Sequence, residues 1–376
     1  MYGGESGPEA NEVGNMNGPE GVRADPPADA PAPPADEQAR VEAAARESTA
    51  RGRFRLPLLE VRNLGLLGVL VLLILAGSFT KPAEFLTYDN VVVILTLASV
   101  SGVITVGMTF VIIGGGIDLS VGAIVALATV WATTQATQLY GTGGVIFCAL
   151  AVGVGCGLVN GLMIAYGRIV AFIMTIAMLA SARGLAINIS SGHTQTLNAD
   201  NQTLVNLGYK DNFLFGRIPP LVIMFAAVVV VGWVVLNRTT FGRRTFAIGG
   251  NQEAARLAGL NVRMHTLLLY VLSGLCCGVA SLMLIVLTAS GTSANGNLYE
   301  LDAIAAVIIG GTLLSGGRGT LVGSVLGVLV FTTINDIFTL NNLTTATQQV
   351  AKGVIIVIAV LVQRLVAERR AGADPV

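Results

Sequence analysis

The sequence predicts an all-α protein, a polytopic helical membrane protein of about ten transmembrane helices with both termini in the cytoplasm. Three observations carry this. Of 376 residues, 53% are hydrophobic and only 12% charged, about half the charged share of a soluble globular chain. Uncharged apolar runs of about 18 residues or more, each long enough to cross a bilayer, recur along the chain. The glycines, 46 in all, fall largely inside those runs, where small residues let helices pack closely.

Residues 1–55 are different in kind. They are rich in Pro, Ala, Gly, Asp and Glu and poor in large apolar residues, so they cannot bury enough surface to fold. A disordered cytoplasmic tail is expected, with one short helical stretch near Asp36–Ser48. The tail is too long and polar to open a secretory signal, so the first span is expected to stay uncleaved. Residues 56–366 form the membrane domain and 367–376 a short cytoplasmic C-terminal tail.

Arg51, Arg53, Arg55 and Arg62 precede the first apolar run and hold the N-terminus in the cytoplasm under the positive-inside rule. Spans follow at about 63–80, 90–113, 117–138, 142–165, 169–189, 218–236, 265–288, 301–314, 320–340 and 346–363. Ten crossings return the C-terminus to the cytoplasm. The charges agree with this count. The loop at about 238–264 is internal and holds Arg238, Arg243, Arg244, Arg256 and Arg263, and Arg168, Arg318, Arg364, Arg369 and Arg370 also fall inside. Lys81, Lys210, Arg217 and Lys352 fall outside. Two places are weaker. The uncharged run Leu119–Gly167 is divided at the polar stretch Thr133–Gly144, and Ala303–Gly317 is short for a crossing, so a tilted or broken helix is expected there. The pentapeptide VIIGG occurs at Val111–Gly115 and at Val307–Gly311. Both copies run in the same direction by this count, and chance similarity is the expectation.

The formal net charge is zero, which implies no general attraction to nucleic acid or anionic lipid. Cys148, Cys156, Cys276 and Cys277 lie in apolar segments without metal-site spacing and read as small hydrophobes.

Three stretches carry the unusual residues. In Val111–Val125, Gly114, Gly115 and Gly116 break a helix just before Asp118. A carboxylate in hydrocarbon is expensive, but at a helix start the free amides and dipole favour it, and Ser120 adds a hydrogen-bond donor. Asp118 is therefore either a helix cap or part of a translocation path or gating joint. In Phe241–His265, Asn251 suits an N-cap, Glu253 the first turn and Gly259 the C′ position of a short helix. Such a helix is either a solvated connection or a peg for a partner's groove. In Tyr299–Thr320, Glu300 and Asp302 open a span, and Ser315–Thr320 make a glycine-rich turn bearing Arg318. Arg183, late in the fifth span, either snorkels to the interface or pairs with Asp118 or Asp302. His193 and His265 are expected at the surface. Catalytic and metal-ligating constellations are absent, and no G-x-x-x-x-G-K-[ST] occurs, so the chain binds no ATP through that motif.

Together, GGGIDLSVGA (Gly114–Ala123), GGNQEAARLAGLNV (Gly249–Val262) and ELDAIAAVIIGGTLLSGGRGT (Glu300–Thr320) resemble the signature segments of permeases in ribose- and xylose-type ABC importers, within the branched-chain amino acid and monosaccharide permease superfamily. TIAMLASARGLAI (Thr175–Ile187) matches too. The resemblance covers about residues 60–366 and excludes the N-terminal tail. It implies a monosaccharide permease that is a homodimer in the lipid membrane. It further implies partner ATPase subunits, which use the ATP, and an extracytoplasmic sugar-binding protein. It makes Asn251, Glu253, Ala254, Ala255, Arg256 and Gly259 the ATPase-coupling contact. Gly114, Gly115, Gly116, Asp118, Ser120, Asp302, Ser315 and Arg318 are candidates for the path or its gating joints, and Thr105, Thr109 and Asn160 for weak sugar contacts. The alternatives are an ion-coupled secondary transporter using Asp118, Asp302 or Asp336, a branched-chain amino acid permease, and a non-transporting membrane scaffold or sensor.

Overall fold

In the computed structural model, residues 61–198, 201–208 and 218–371 are described. The predicted tail 1–55 lies outside them, as do Lys210, Arg217 and the last five residues. The elements run α1 (Val61–Thr80), α2 (Tyr88–Ile113), α3 (Val121–Ala132), α4 (Gln135–Gln138), α5 (Gly141–Ala165), α6 (Ala171–Ser190), β1 (Gln195–Thr196), α7 (Gln202–Gly208), α8 (Pro220–Arg238), α9 (Thr240–Gly250), α10 (Gln252–Leu257), α11 (Val262–Thr288), β2 (Ser290–Gly291), α12 (Tyr299–Ile309), α13 (Leu321–Leu340) and α14 (Thr345–Ala371).

Among the described residues, seven helices are long and apolar enough to cross a membrane: α1, α2, α5, α6, α8, α11 and α13. Three of the expected crossings are not among these: the one expected at 346–363 has a shorter apolar stretch, Thr345–Leu361, within α14, and two others are shorter still. The span expected at 117–138 is α3, of 12 residues, followed by the single turn of α4. At ~1.5 Å per residue, α3 rises only about 18 Å, against a hydrocarbon core of ~30 Å. The span expected at 301–314 is the 11-residue α12, which ends at Ile309. Gly310 and Gly311 end α12, whereas Gly114–Gly116 delay the start of α3, which stops at Thr133.

Every residue of α3 except Trp131 is buried. A helix that is apolar all round packs inside the protein, and α3 lies in a core with the second half of α2 and most of α11. Backbones approach closely along the seam between α5 and α11. A Cβ added at Gly153 would sit 2.3 Å from the Gly274 oxygen, and one at Gly157 would sit 2.4 Å from the Tyr270 oxygen. Helices meeting this closely in lipid gain dispersion contacts where no hydrophobic force helps them. The pair α12 and α13 is built the same way, with Gly323 against Gly310 and Gly327 against Ala306.

The two VIIGG copies are structurally equivalent. Gly114 and Gly310 are the C-caps of α2 and α12, and Gly115 and Gly311 follow with φ of +84° and +79°. The Gly116 amide donates to the Val111 oxygen at 2.9 Å, and the Thr312 amide to the Val307 oxygen at 3.1 Å. Both ends are Schellman motifs, whose left-handed residue strongly favours glycine. The repeat is thus a shared way of ending a helix, which corrects the expectation of chance similarity.

At the end of the helices away from these glycines, the connections 133–140, 191–198 and 289–298 are laced together. β1 pairs antiparallel with β2, placing Gln195 opposite Gly291. Buried Gln138 donates to the Thr133 and Thr196 oxygens and accepts from the Asn198 amide and Asn201. Every hydrogen-bonding site of that amide group is thereby satisfied.

Candidate functional site

The three stretches singled out by sequence occupy two layers of one region. The deeper layer is centred on Asp118, whose side chain is wholly buried. The N-cap of α3 is Ser120, not Asp118, and it makes no side-chain cap hydrogen bond. Asp118 lies two residues earlier, and its Oδ1 accepts from the Ser120 amide at 3.0 Å and the Ser120 hydroxyl at 2.6 Å. Its Oδ2 accepts from Ser273 Oγ on α11 at 2.9 Å. Asn160 Nδ2 on α5 donates to Ser120 Oγ at 2.9 Å, and the Tyr270 hydroxyl donates to the Ile117 oxygen. The carboxylate is therefore a tie between the helix break, α5 and α11, and no longer the simple cap that local sequence suggested. Asn160 is fully buried, and its Oδ1 has no hydrogen-bond partner among the described residues.

The second layer is a meeting of three glycine segments. The Gly317 amide donates to the Ile113 oxygen at 2.8 Å. Gly249, at the end of α9, lies against both, since an added Cβ would sit 1.8 Å from the Ile113 oxygen and 2.7 Å from the Gly317 nitrogen. A Cβ on Gly316 would come within 2.8 Å of the Gly249 oxygen and 2.9 Å of Gly115 Cα. Gly114–Gly116 and the turn carrying Ser315 and Arg318 are thus brought together through the segment that precedes α10. Ser315 and Arg318 themselves are exposed.

The short helix is formed as its sequence suggested. Asn251 is the N-cap of α10 and its Oδ1 accepts from the Ala254 amide at 2.9 Å. Gly259 follows the C-cap with φ +81°. Asn251, Glu253, Ala254, Arg256 and Gly259 are exposed, and Glu253 pairs with Arg256 on the outer face. Ala255 is the exception. It is buried in a small cluster with Ile248 and Val262, so it anchors the helix and presents no contact surface. Leu257, 78% exposed, is the apolar residue that α10 offers outward, and sequence reasoning missed it.

His265 is also corrected. It is buried, its Nε2 lies 2.8 Å from Thr245 Oγ1 on α9, and its ring lies 4.4 Å from that of Phe241. Phe241 in turn lies 6.2 Å from Phe110 of α2. These contacts seat α9 on α2 and α11. No local signal in the sequence distinguishes such a histidine from a surface one.

Arg183, Asp302 and Asp336 are each engaged elsewhere. Arg183 donates to the carbonyls of Ser293 and Asn295, so it holds the 289–298 connection and pairs with neither Asp118 nor Asp302. Asp302 pairs at 3.2 Å with Lys352, which lies in α14. Asp336 accepts from Asn90. The three acids that an ion-coupled transporter would use sit apart, each engaged separately. Thr105 and Thr109 are buried and donate to carbonyls of their own helix. One cavity of about 890 Å³ is lined by residues including Leu127, Trp131, Phe147, Val152 and Leu185, and another of about 250 Å³ by Val103, Phe110, Val228, Val231 and Leu272 among others. Both are too apolar to satisfy a polyhydroxylated solute, whose hydroxyls need partners when taken from water.

Residues 90–360 match the family described as branched-chain amino acid transport system / permease component. The chain is 39% identical over 298 residues to the ribose import permease protein RbsC of Bacillus subtilis, covering 79% of this chain and 91% of that one. It is 36% identical over 308 residues to the L-arabinose transport system permease protein AraH of Escherichia coli, covering 80% and 90%. It is 35% identical over 317 residues to the galactose/methyl galactoside import permease protein MglC of the same species, covering 79% and 93%. No solved structure matches the chain.

Proposed function

The chain belongs to the branched-chain amino acid transport system / permease component family, and from that premise we propose that it is the membrane permease subunit of an ABC importer for a monosaccharide. It is a multi-pass protein of the bacterial plasma membrane. The observation that carries the sugar reading is the similarity to import permeases for ribose, arabinose and galactose over nine-tenths of their lengths. Separate ATPase subunits hydrolyse ATP, and an extracytoplasmic binding protein delivers the sugar.

The end of the helices that carries Arg168, Arg238, Arg243, Arg244, Arg256 and Arg318 faces the cytoplasm under the positive-inside rule. On that side α10 is the docking peg for the ATPase. Glu253, Arg256 and Leu257 point outward from it while Ala255 fastens it from beneath. Among the described residues the buried hydroxyls that a sugar would need are engaged already, by carbonyls of their own helix or by Asp118. The path therefore runs between two copies of the permease, which alternate between outward and inward access as ATP binds and is hydrolysed.

The test is Arg256→Glu in the complete importer. Both partners of the Glu253–Arg256 pair are about two-thirds exposed, so the pair adds little to stability and the variant should insert and fold. Capture of the ATPase and uptake of labelled pentose should both fall. Unchanged capture and uptake would remove α10 from the docking role.

A further inference from the structure

We propose that the junction of Gly115, Gly249, Gly316 and Gly317 is the linkage through which movement of the α9–α10 segment reaches both broken-helix regions at once, with Gly249 as its positioning residue. The inference rests on the docking role of α10 and adds the route by which that docking acts.

The geometry is unlike an ordinary side-chain interface. Gly249 packs against the Ile113 oxygen and the Gly317 nitrogen together, main chain against main chain, on the side where a Cβ would stand. Ile113 and Gly317 are also joined to each other by a hydrogen bond of 2.8 Å. With no side chain between them, no rotamer change can absorb a displacement, and close-packed contacts pass strain onward. On one side, α9 is seated on α2 and α11 through Phe241, Phe110, Thr245 and His265. On the other, α10 is fastened to α9 by Ile248 and Ala255. The segment therefore moves as a unit with the junction.

What yields is also defined. The start of α3 is pinned to α5 and α11 by Asp118, Ser120, Asn160 and Ser273. The end of α2 is held by the junction. Between the junction and α3 lie Gly116 and Ile117, where glycine adds freedom. The turn after α12 has the same character ahead of the junction, with Gly311 at positive φ. Hinges absorb motion at a few such positions while packed helices move as bodies.

Spin labels test this in the full importer. In a chain carrying Cys148→Ala, Cys156→Ala, Cys276→Ala and Cys277→Ala, one pair is placed at Gly250→Cys and Ser315→Cys. A Cβ at Gly250 meets no atom within 4 Å and Ser315 is exposed, so both tolerate a label. A second pair joins Gly250→Cys to His193→Cys, an exposed site at the opposite end. Between nucleotide-free and vanadate-trapped complexes, the 250–315 distance should hold within about 2 Å while the 250–193 distance changes by more than that. A 250–315 distance that changes, or a 250–193 distance that does not, overturns the proposal.

The functional arm uses Gly249→Ala, with Gly250→Ala as its control. Gly249→Ala should keep capture of the ATPase and its hydrolysis but lose about tenfold or more of uptake per ATP, the scale of an ordinary inter-site coupling. Gly250→Ala should transport normally. Normal uptake by Gly249→Ala overturns the proposal, and if that variant fails to fold, the distance pairs decide. Retained ATPase capture by Arg256→Glu would instead count against docking by α10, which separates the two failures.

Discussion

Replacing Asp118 tests whether it acts as a structural tie. The carboxylate accepts three hydrogen bonds, from the Ser120 amide, the Ser120 hydroxyl and Ser273 Oγ, in a fully buried site. Asp118→Ala strands all three donors. An unsatisfied buried donor costs about 1–3 kcal/mol, and the two hydroxyls recover part of this by rotating toward helix carbonyls, which leaves a net loss of about 3–6 kcal/mol. For a chain of this size, at about 2 °C per kcal/mol, the detergent-solubilised permease should melt roughly 6–12 °C lower. Asp118→Asn keeps an acceptor oxygen for Ser120 and presents an amide to Ser273, whose hydroxyl can accept, so its loss should be about 1–2 kcal/mol. The assay is thermal unfolding followed by size-exclusion chromatography, alongside sugar uptake in vesicles. An Asp118→Ala protein melting within about 2 °C of the parent would refute the tie. If Asp118→Asn melts like the parent but loses uptake, the charge itself has a role in transport that the hydrogen bonds do not explain.

Two other predictions concern packing and charge. Gly157→Val drives its side chain into the Tyr270 carbonyl, 2.4 Å from the Cβ position, and should lower stability by about 3 kcal/mol or more by forcing α5 off α11. Gly155→Ala, which meets nothing within 4 Å, should be neutral, and equal melting temperatures for the two variants would contradict the seam. Lys352→Met leaves Asp302, whose side chain is 14% exposed, without its cation and should cost about 3 kcal/mol, while adding Asp302→Asn should restore most of it. A double variant no better than the single would mean that the ion pair is not what links α12 to α14.

Much of the architecture was legible because its determinants are local or compositional. Long apolar runs predict crossing helices whatever packs beside them. Asn251 and Gly259 bracket α10 because a cap bond spans three residues and a left-handed C′ position favours glycine. Glu300 and Asp302 fall in the first turn of α12 for the same kind of reason. Matters were different wherever a residue's partner lies far along the chain. Asp118 finds Ser273 at a separation of 155 residues, and nothing near either one announces the other. His265 looked polar and peripheral until α9 folded over it. Ala255 lies on a helix too short for its pattern to reveal which side faces inward.

The sequence by itself determined that this is a helical membrane permease of the sugar-import type, where its long helices run, and which three segments carry its distinctive residues. Hydropathy, caps and motif matches act within one or two turns of chain, so they survive without a fold. Only the tertiary structure decided that the three segments converge, that Gly249 packs against the bonded pair Ile113 and Gly317, and that Asp118 ties the helix break to α5 and α11. These are contacts between distant parts of the chain, set by the packing of every helix at once.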